Sequence, residues 1–398
     1  LLALAGPRMV FDNETYPRGQ TAREFRNSLW QHAVAGLDGL TVFSWSRRGW
    51  VWWRTRAEVQ TEADKYPYCL LNPLARRTEA LRGLHDFAAE MQPLAPRILP
   101  KPWGPPPAIG LLYSWPQARR KAYDANTPDK TAAYYAALKY SHWNLAVVPS
   151  DRLVAGRTPG SVEVLVCGGV GIGEPELAER LRQFAEAGGT VVLGEAIPDR
   201  DLYGRALPGG PDWTGVTLTD AAADPAPASL GPVALNAGVR RLEALAGTEV
   251  LQRDSLGRPV LTRRPLGRGA VYFQAADLIG YPLAHVLETA MADSSRRRAA
   301  RSPASPLRLA EITDTRRDGR ATNVLLSRRS YPNHHAVLLL NRDGFAKTLR
   351  LALPDLQGSW RVTAGLSGNI LAPSLAAGDT VTLSLDAESP AVLLFEKP

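Results

Sequence analysis

Arg8-Met-Val-Phe-Asp-Asn-Glu14 and Gly39-Leu-Thr-Val-Phe-Ser-Trp45 are two short apolar runs, each ending on a side chain that can react or bind. Both have the length and composition of buried strands. Between them, residues 21–37 place apolar side chains such as Trp30 at helical spacing, which predicts a helix. A second helix is predicted over residues 75–91. Strand, helix, strand and helix in this order indicate the alternation of a parallel α/β sheet.

The composition excludes several classes of protein. A chain of 398 residues with 45% hydrophobic content has room for two or three globular domains, so disordered and fibrous classes are excluded. The net charge of +8 is spread over dispersed arginines without a helix-turn-helix, zinc-finger or RNP pattern, so no nucleic-acid partner is predicted. The apolar runs are far shorter than the roughly 18–20 residues that span a membrane, so no membrane partner is predicted.

The cysteine content gives little information on location. Cys69 and Cys167 are too few for a disulfide framework and lack the spacing of a metal site. We expect reduced, buried thiols. The compartment stays open, with the cytoplasm favoured.

The middle of the chain reads as a second domain, over residues 101–300. A proline-rich connector at residues 99–107 marks its beginning, since this composition cannot continue a helix or a central strand. Two helices are predicted, over residues 131–141 and 174–187. Their alternation with buried strands predicts a doubly wound α/β domain. The predicted strands are 109–113, 145–149, 162–167, 190–193 and 269–273.

A third domain is predicted over residues 307–398, because the pattern changes there to period-two runs separated by turn signals. This pattern is typical of an antiparallel β-sandwich. The basic stretch at residues 294–306 is the predicted linker. The predicted strands are 323–327, 336–341, 348–353, 360–364, 380–385 and 391–395.

Glu14 and Trp45 suggest a sugar-cleaving site if they follow two strands of one barrel, because a (β/α)8 barrel assembles its active site at the carboxyl ends of its strands. Retaining glycoside hydrolysis needs two carboxyl groups about 5–5.5 Å apart, one nucleophilic and one acting as acid and then base. An aromatic face supplies the apolar platform for a sugar ring.

Three segments carry a family resemblance. The run Glu14-Thr-Tyr-Pro-Arg-Gly19, the helix Arg26-Asn-Ser-Leu-Trp-Gln-His-Ala-Val-Ala-Gly36 and the run Phe43-Ser-Trp45-Ser resemble the end of the catalytic barrel of family 42 β-galactosidases. The resemblance implies that residues 1–100 hold strands seven and eight of a TIM barrel. It also implies an amidotransferase-like α/β domain that mediates trimerisation, followed by a small β domain.

Residue roles follow from this resemblance. Glu14 is expected to be the nucleophile, and Trp45 part of the wall of the sugar subsite. Trp50 is expected either to line an outer sugar subsite or to pack within its loop. Arg18 and Arg47 are expected to form hydrogen bonds at the rim of the pocket. The expected partner is a β-galactoside or related carbohydrate, and the expected assembly is a homotrimer. No cofactor is implied.

The sequence departs from the family pattern in two respects. Ser44 and Ser46 flank the tryptophan where the family commonly has a basic residue, which leaves the sugar specificity open. The acid/base glutamate that the family carries on strand four has no counterpart in this sequence. We therefore expect the missing barrel segment to come from outside these residues, and a second polypeptide chain is one source. This chain alone is expected to be incomplete as a catalyst. The alternative is a non-catalytic carbohydrate-binding or assembly protein descended from such an enzyme.

Two competing sites lie in the middle domain. Cys167 follows a predicted strand like an amidotransferase nucleophile, but Leu165 stands where the nucleophile elbow usually has glycine. A buried cysteine is therefore the preferred interpretation. The glycines of Gly169-Val-Gly-Ile-Gly173 suggest a dinucleotide loop, but their spacing differs from the fingerprint, and a turn that begins a helix is preferred.

Overall fold

The computed structural model describes residues 11–15, 21–36, 39–42, 70, 77–99, 106–124, 127, 130–207, 212–219, 228–230, 233–235, 238–299, 308–315, 319–320 and 323–398. The chain divides into two compact units: Leu1–Pro105 together with Arg308–Pro398, and Pro106–Leu307. The helices in these ranges are α1 (Ala22–Ala35), α2 (Glu79–Met91), α3 (Ala95–Ile98), α4 (Trp115–Tyr123), α5 (Thr131–Tyr140), α6 (Ser150–Val154), α7 (Leu177–Glu186) and α8 (Gly280–Ala299). The first strands are β1 (Phe11–Thr15), β2 (Gly39–Val42), β3 (Ile109–Tyr113), β4 (Leu145–Pro149), β5 (Val164–Gly168), β6 (Thr190–Gly194), β7 (Val216–Leu218), β8 (Ala228–Leu230), β9 (Val233–Leu235), β10 (Leu242–Ala244), β11 (Glu249–Arg253), β12 (Pro259–Leu266) and β13 (Gly269–Gln274). The later strands are β14 (Glu311–Asp314), β15 (Gly319–Arg320), β16 (Val324–Ser330), β17 (His334–Asn341), β18 (Lys347–Ala352), β19 (Trp360–Ala364), β20 (Ile370–Leu375), β21 (Val381–Leu385) and β22 (Pro390–Glu396).

The unit Pro106–Leu307 is built on a sheet with the strand order β11-β12-β13-β6-β5-β3-β4. Its five parallel strands, numbered along the chain, lie in the order 2-1-3-4-5, which is a doubly wound arrangement. Strands β5 and β6 are buried at every position, as expected for a parallel sheet with both faces covered. The predicted parallel sheet is confirmed. The sequence did not predict the antiparallel extension formed by β12 and β11.

The predicted linker at residues 294–306 is wrong over its first part. Helix α8 continues through Ala299, and Ser294 is buried with its hydroxyl 3.0 Å from that of Thr190 on β6. Arginine and alanine are strong helix formers, so the basic Ser/Arg/Ala segment extends the helix once one of its faces packs against the sheet.

The strands after residue 308 form two antiparallel sheets with the orders β15-β14-β18-β21 and β16-β17-β22-β19-β20. One apolar core contains side chains from both sheets, including Leu349 of β18 and Leu339 of β17. Strand β21 alternates buried and exposed side chains, as its period-two sequence predicts. The predicted antiparallel sheets are confirmed.

Helices from the beginning of the chain cover the second face of the five-stranded sheet. Trp30 and Val34 of α1 and Ile98 of α3 share an apolar cluster with strands β17 and β22. As a result, β17 buries Val337 between the sheets and Leu338 under the helices. The predicted ranges 1–100 and 307–398 thus contribute to one compact unit. Their separation into functional domains stays a prediction.

Candidate active site

The candidate site lies on a parallel β-α-β segment. Strands β1 and β2 pair in parallel, with Phe11 opposite Gly39, and α1 connects them. The carboxyl ends of parallel strands lie at the same edge of a sheet, so Glu14, the fourth residue of β1, stands near the edge where β2 ends at Val42. The described residues of this sheet form two strands.

The other predicted site residues have no described placement. Trp45, Arg18, Arg47 and Trp50 lie outside the described residues, and only the backbone of Glu14 is described. Their roles stay predictions.

The local sequence of α1 fixes both of its ends. The Thr21 side chain accepts a hydrogen bond from the Glu24 N–H, and the Glu24 carboxylate accepts from the Thr21 N–H at 2.8 Å, which forms a capping box. The bond from the Thr21 N–H, and then a bond of 2.9 Å from the Thr21 hydroxyl to the same carboxylate, lower the pKa of Glu24. The helix ends at Gly36, whose φ of 100° is the left-handed conformation that glycine adopts at little cost. The two ends set the length of the connection between β1 and β2.

A carboxylate on α2 holds the middle of α1. Glu90 accepts hydrogen bonds from the Arg26 Nε at 3.0 and 2.9 Å and from the Trp30 Nε1 at 2.8 Å. Charge-assisted, two-pronged bonds of this kind specify geometry as well as energy. The helices also approach closely at Gly83, where an added Cβ would lie 2.2 Å from the Ala22 carbonyl oxygen.

Arg329 on β16 anchors the other end of α1. Its guanidinium is buried and donates to the Ala33 carbonyl at 3.1 Å and to the Ile98 carbonyl at 2.5 Å. Both acceptors lie in the last turns of helices, where the helix dipole favours a cation. The Ala33 carbonyl also accepts a hydrogen bond from the Gly36 N–H at 3.1 Å. Arg329 was not identified from the sequence. At this position the sequence shows only a charged residue within a strand-like run.

The competing cysteine site is not supported. Cys167 is fully buried at the end of β5, and burial raises the pKa of its thiol far above the ordinary value. A nucleophilic cysteine needs an accessible thiolate. The interpretation of Cys167 as a buried thiol is confirmed.

The glycine loop after β5 is filled by a protein side chain. The Gln117 amide accepts hydrogen bonds from the Gly171 N–H at 2.8 Å and the Ile172 N–H at 3.2 Å, and it donates to the Gly169 carbonyl at 2.9 Å. The Gly173 N–H donates to the carbonyl of Arg200. A phosphate-binding loop needs such N–H groups to be available, so this arrangement supports a structural turn.

A charged cluster lies at the carboxyl end of β6. Glu195 has φ 57°, an uncommon left-handed value for a residue with a side chain, and its Oε1 is buried without a hydrogen-bond partner among the described residues. Burial, and then the negative charge of Asp277, raise the pKa of Glu195 to about 7, against the opposing charges of Lys130 and Arg240. Lys130 is paired with Asp277. Strained backbone and raised carboxyl pKa values often mark functional sites, but they also occur in structural networks.

The described ranges contain no group of three or more His, Cys, Asp or Glu side chains arranged to hold a metal ion. No helix within them combines the length and hydropathy that a membrane crossing requires.

The class defined by these features is a mixed α/β protein with a β-α-β segment, a doubly wound sheet and an antiparallel sandwich. No protein-family model and no curated protein matches the sequence. Solved structures do match the fold. The β-galactosidase from Bacillus circulans sp. alkalophilus superposes with a TM-score of 0.67 and 16% identity, covering 96% of this chain and 55% of that one. A catalytic mutant of Gan42B, a family 42 β-galactosidase from G. stearothermophilus, gives 0.67 and 14%, covering 95% and 51%.

A protein with another activity shares the fold. The α-L-fucosidase isoenzyme 2 from Paenibacillus thiaminolyticus gives a TM-score of 0.61 and 12% identity, covering 95% of this chain and 58% of that one. The chain spans about half the length of these structures. The predicted resemblance to the carboxyl-terminal portion of family 42 β-galactosidases is confirmed at the level of the fold.

Proposed function

We propose that this chain is the carboxyl-terminal part of a retaining β-glycosidase of the family 42 β-galactosidase type, with Glu14 as the nucleophile. The observation that carries the proposal is the parallel β1-α1-β2 segment, which places Glu14 near the carboxyl end of a strand. It occurs in a chain whose fold matches about half of the β-galactosidase structures. Active sites of parallel barrels lie at that edge.

In the proposed reaction, the Glu14 carboxylate attacks the anomeric carbon of a β-galactoside or related sugar. The bond from that carbon to the leaving oxygen breaks as a second carboxyl group, supplied by strands beyond those described, donates a proton to the oxygen. The same second group then removes a proton from water, which attacks the glycosyl-enzyme and releases Glu14. Two displacements retain the anomeric configuration. Trp45 supplies the apolar face under the sugar, and no cofactor takes part.

The anchors of α1 have a clear purpose in this proposal. A nucleophile must be held within a fraction of an ångström of its productive position, so its supporting elements must be rigid. Glu90 and Arg329 fix α1 from two sides, and α1 fixes the connection between β1 and β2. The sandwich therefore supports the active-site segment. The proposed homotrimer, mediated by the α/β unit, rests on the family resemblance.

The test uses a Glu14→Ala variant of the protein with all of its barrel strands present, whether on one chain or two. We expect hydrolysis of a nitrophenyl β-galactoside to fall by at least 10³-fold, which is the order of effect expected for loss of a catalytic nucleophile. Azide can enter the space of the missing carboxylate and attack the same carbon in a single displacement. Added azide should therefore restore release of nitrophenol and give a galactosyl azide of inverted configuration. Normal turnover by Glu14→Ala would refute the assignment.

A non-catalytic carbohydrate-binding or assembly protein is the second candidate. It needs no second carboxylate, and it is compatible with the two parallel strands that the described residues contribute to the β1-β2 sheet. Galactoside binding without turnover by the complete protein would select this candidate.

A further inference from the structure

The connection between β13 and the first turn of α8 is held by few apolar contacts. We name residues 277–281 the entry segment, because they lead the chain from β13 into α8. Leu278 is buried, whereas Ile279 and Tyr281 are 64% and 60% exposed. Gly280 has φ 59°, and open space surrounds the position that a Cβ would take there. Sparse burial of this kind is typical of regions that open separately from the rest of a fold.

Polar contacts tie the entry segment to the described residues around it. The Asp277 N–H donates to the Gly238 carbonyl at 2.9 Å, and the Asp277 carboxylate is paired with Lys130. The Leu278 N–H forms a hydrogen bond with the Glu195 carboxyl group. Glu195 therefore links the entry segment to the end of β6.

The backbone of Glu195 is held in an uncommon conformation by its neighbours. Its φ of 57° lies in the left-handed region, which residues with a side chain adopt at a cost. The Glu195 N–H donates to the Gln274 carbonyl at 2.6 Å, and the Glu195 carbonyl accepts from the Arg240 Nη1 at 2.7 Å. These bonds, one before and one after its Cα, keep the carboxyl group against the entry segment.

The closed arrangement compensates a negative charge on Glu195 only in part. Its Oε1 is buried without a hydrogen-bond partner among the described residues, so water does not solvate a charge there. Burial, and then the charge of Asp277, raise the pKa of Glu195 to about 7. Lys130, the Leu278 N–H and Arg240 act in the opposite direction, and they do not cancel this shift. The closed structure therefore favours a protonated Glu195 below about pH 7.

We propose that Glu195 is a proton-sensitive latch, whose neutral carboxyl group keeps the entry segment closed and whose ionisation releases it. Loss of the proton in the closed structure leaves a desolvated charge beside Asp277. Opening hydrates this charge and separates the two carboxylates, so the open form gains population as the pH rises. Tyr134 also lies near the latch, but burial raises the pKa of its phenol well above the ordinary value, so it stays neutral. Glu195 and Glu14 belong to different compact units, so the latch does not depend on the proposed function.

The experiment measures hydrogen exchange of the entry segment and of β6 in the full chain, from about pH 5 to pH 8, with each rate corrected for intrinsic exchange at that pH. Protection of the Asp277 and Leu278 amides should fall by roughly 70-fold over this range, because opening returns the Glu195 pKa from about 7 to its ordinary value of 4.5. At each pH these amides should exchange faster than the slowest β6 amides. They should also respond less to low concentrations of urea, because opening the segment exposes less surface than unfolding the unit.

Substitutions separate the latch from ordinary opening of the unit. Glu195→Gln should abolish the pH dependence of the entry segment, because glutamine stays neutral. Asp277→Asn should reduce it, because the like charge is removed and Lys130 is left to stabilise the Glu195 carboxylate. Glu243→Gln, at an exposed site, is the matched control and should keep the wild-type dependence.

Two results would overturn the proposal. One is equal protection of Leu278 and the slowest β6 amides at every pH, because the entry segment would then open only with the whole unit. The other is the wild-type pH dependence in Glu195→Gln. If circular dichroism shows that Glu195→Gln does not fold, Asp277→Asn decides: a reduced dependence supports the latch, and an unchanged dependence overturns it.

Discussion

Replacing Glu195 with glutamine should remove a pH-dependent loss of stability from the unit Pro106–Leu307. The pKa of this carboxyl is raised from 4.5 to about 7 in the folded protein, by burial and by the charge of Asp277. A group whose pKa is higher when folded stabilises the fold fully below its unfolded pKa, and that contribution is lost as the pH rises through the folded value. The wild-type protein should therefore lose stability between about pH 4.5 and pH 7.

The expected size of this loss follows from the shift. A difference of about 2.5 pH units at 1.36 kcal/mol each corresponds to roughly 3 kcal/mol of unfolding free energy, as an order of magnitude. Glutamine has nearly the same shape and stays neutral. Glu195→Gln should therefore match the wild type near pH 4 and exceed it by roughly 3 kcal/mol at pH 8.

Hydrogen exchange of the slowest amides of β6 measures this effect, because such amides exchange only when the whole unit opens. The opening free energies of wild type and Glu195→Gln are compared from about pH 4 to pH 8.5, a window that spans the shift. The variant Glu243→Gln, at an exposed site, is the control for the substitution itself. A difference between wild type and Glu195→Gln that stays constant over this window would refute the reasoning.

Three further predictions concern packing and reactivity. Arg329→Met should lower the unfolding free energy of its unit by about 1–3 kcal/mol, because the buried Ile98 carbonyl loses its charged donor while the Ala33 carbonyl keeps the Gly36 N–H; the exposed Arg361→Met is the control, and equal melting temperatures would contradict the assigned role. Gly83→Val should lower the unfolding free energy by at least about 2 kcal/mol, because the added side chain forces α1 and α2 apart. Urea unfolding measures this loss, and an unchanged midpoint would contradict the close approach of the two helices. In a Cys69→Ser background, Cys167 should resist iodoacetamide at pH 8 and react only after unfolding, because its thiol is buried. Mass spectrometry detects the label, and labelling of the folded protein would contradict this burial.

The parallel sheet was predictable because its strands are short, buried and almost entirely apolar. Strands β3 and β4 begin and end where the sequence predicts. A strand that is buried on both faces needs apolar side chains at successive positions, and this run of apolar residues can be seen in the sequence of each strand alone.

The covering of the sandwich by α1 and α3 was not predicted, although the sequence contains a signal for it. Strand β17 runs Ala336-Val-Leu-Leu-Leu340 and β22 runs Val392-Leu-Leu-Phe395, without the alternation of β21. A strand that is apolar at successive positions has both faces covered. Because these strands were predicted as members of the same alternating sandwich, the second core beneath the helices was not predicted.

The anchors of α1 could not be predicted from local pattern. Arg329 and the Ala33 carbonyl are 296 residues apart, and Arg26 and Glu90 are 64 apart. Each partner alone reads as an ordinary charged or backbone group. Only the folded chain brings them together.

The measurement that tests the central claim most directly is covalent trapping of the proposed nucleophile. An activated 2-deoxy-2-fluoro-β-galactoside should form a long-lived glycosyl-enzyme, because fluorine destabilises the oxocarbenium-like transition states while a good leaving group preserves the first step. With the complete set of barrel strands present, mass spectrometry of the digested protein should find one galactosyl label, carried by Glu14. A label on any other carboxylate, or hydrolysis of ordinary β-galactosides by a protein whose Glu14 is never labelled, would contradict the account.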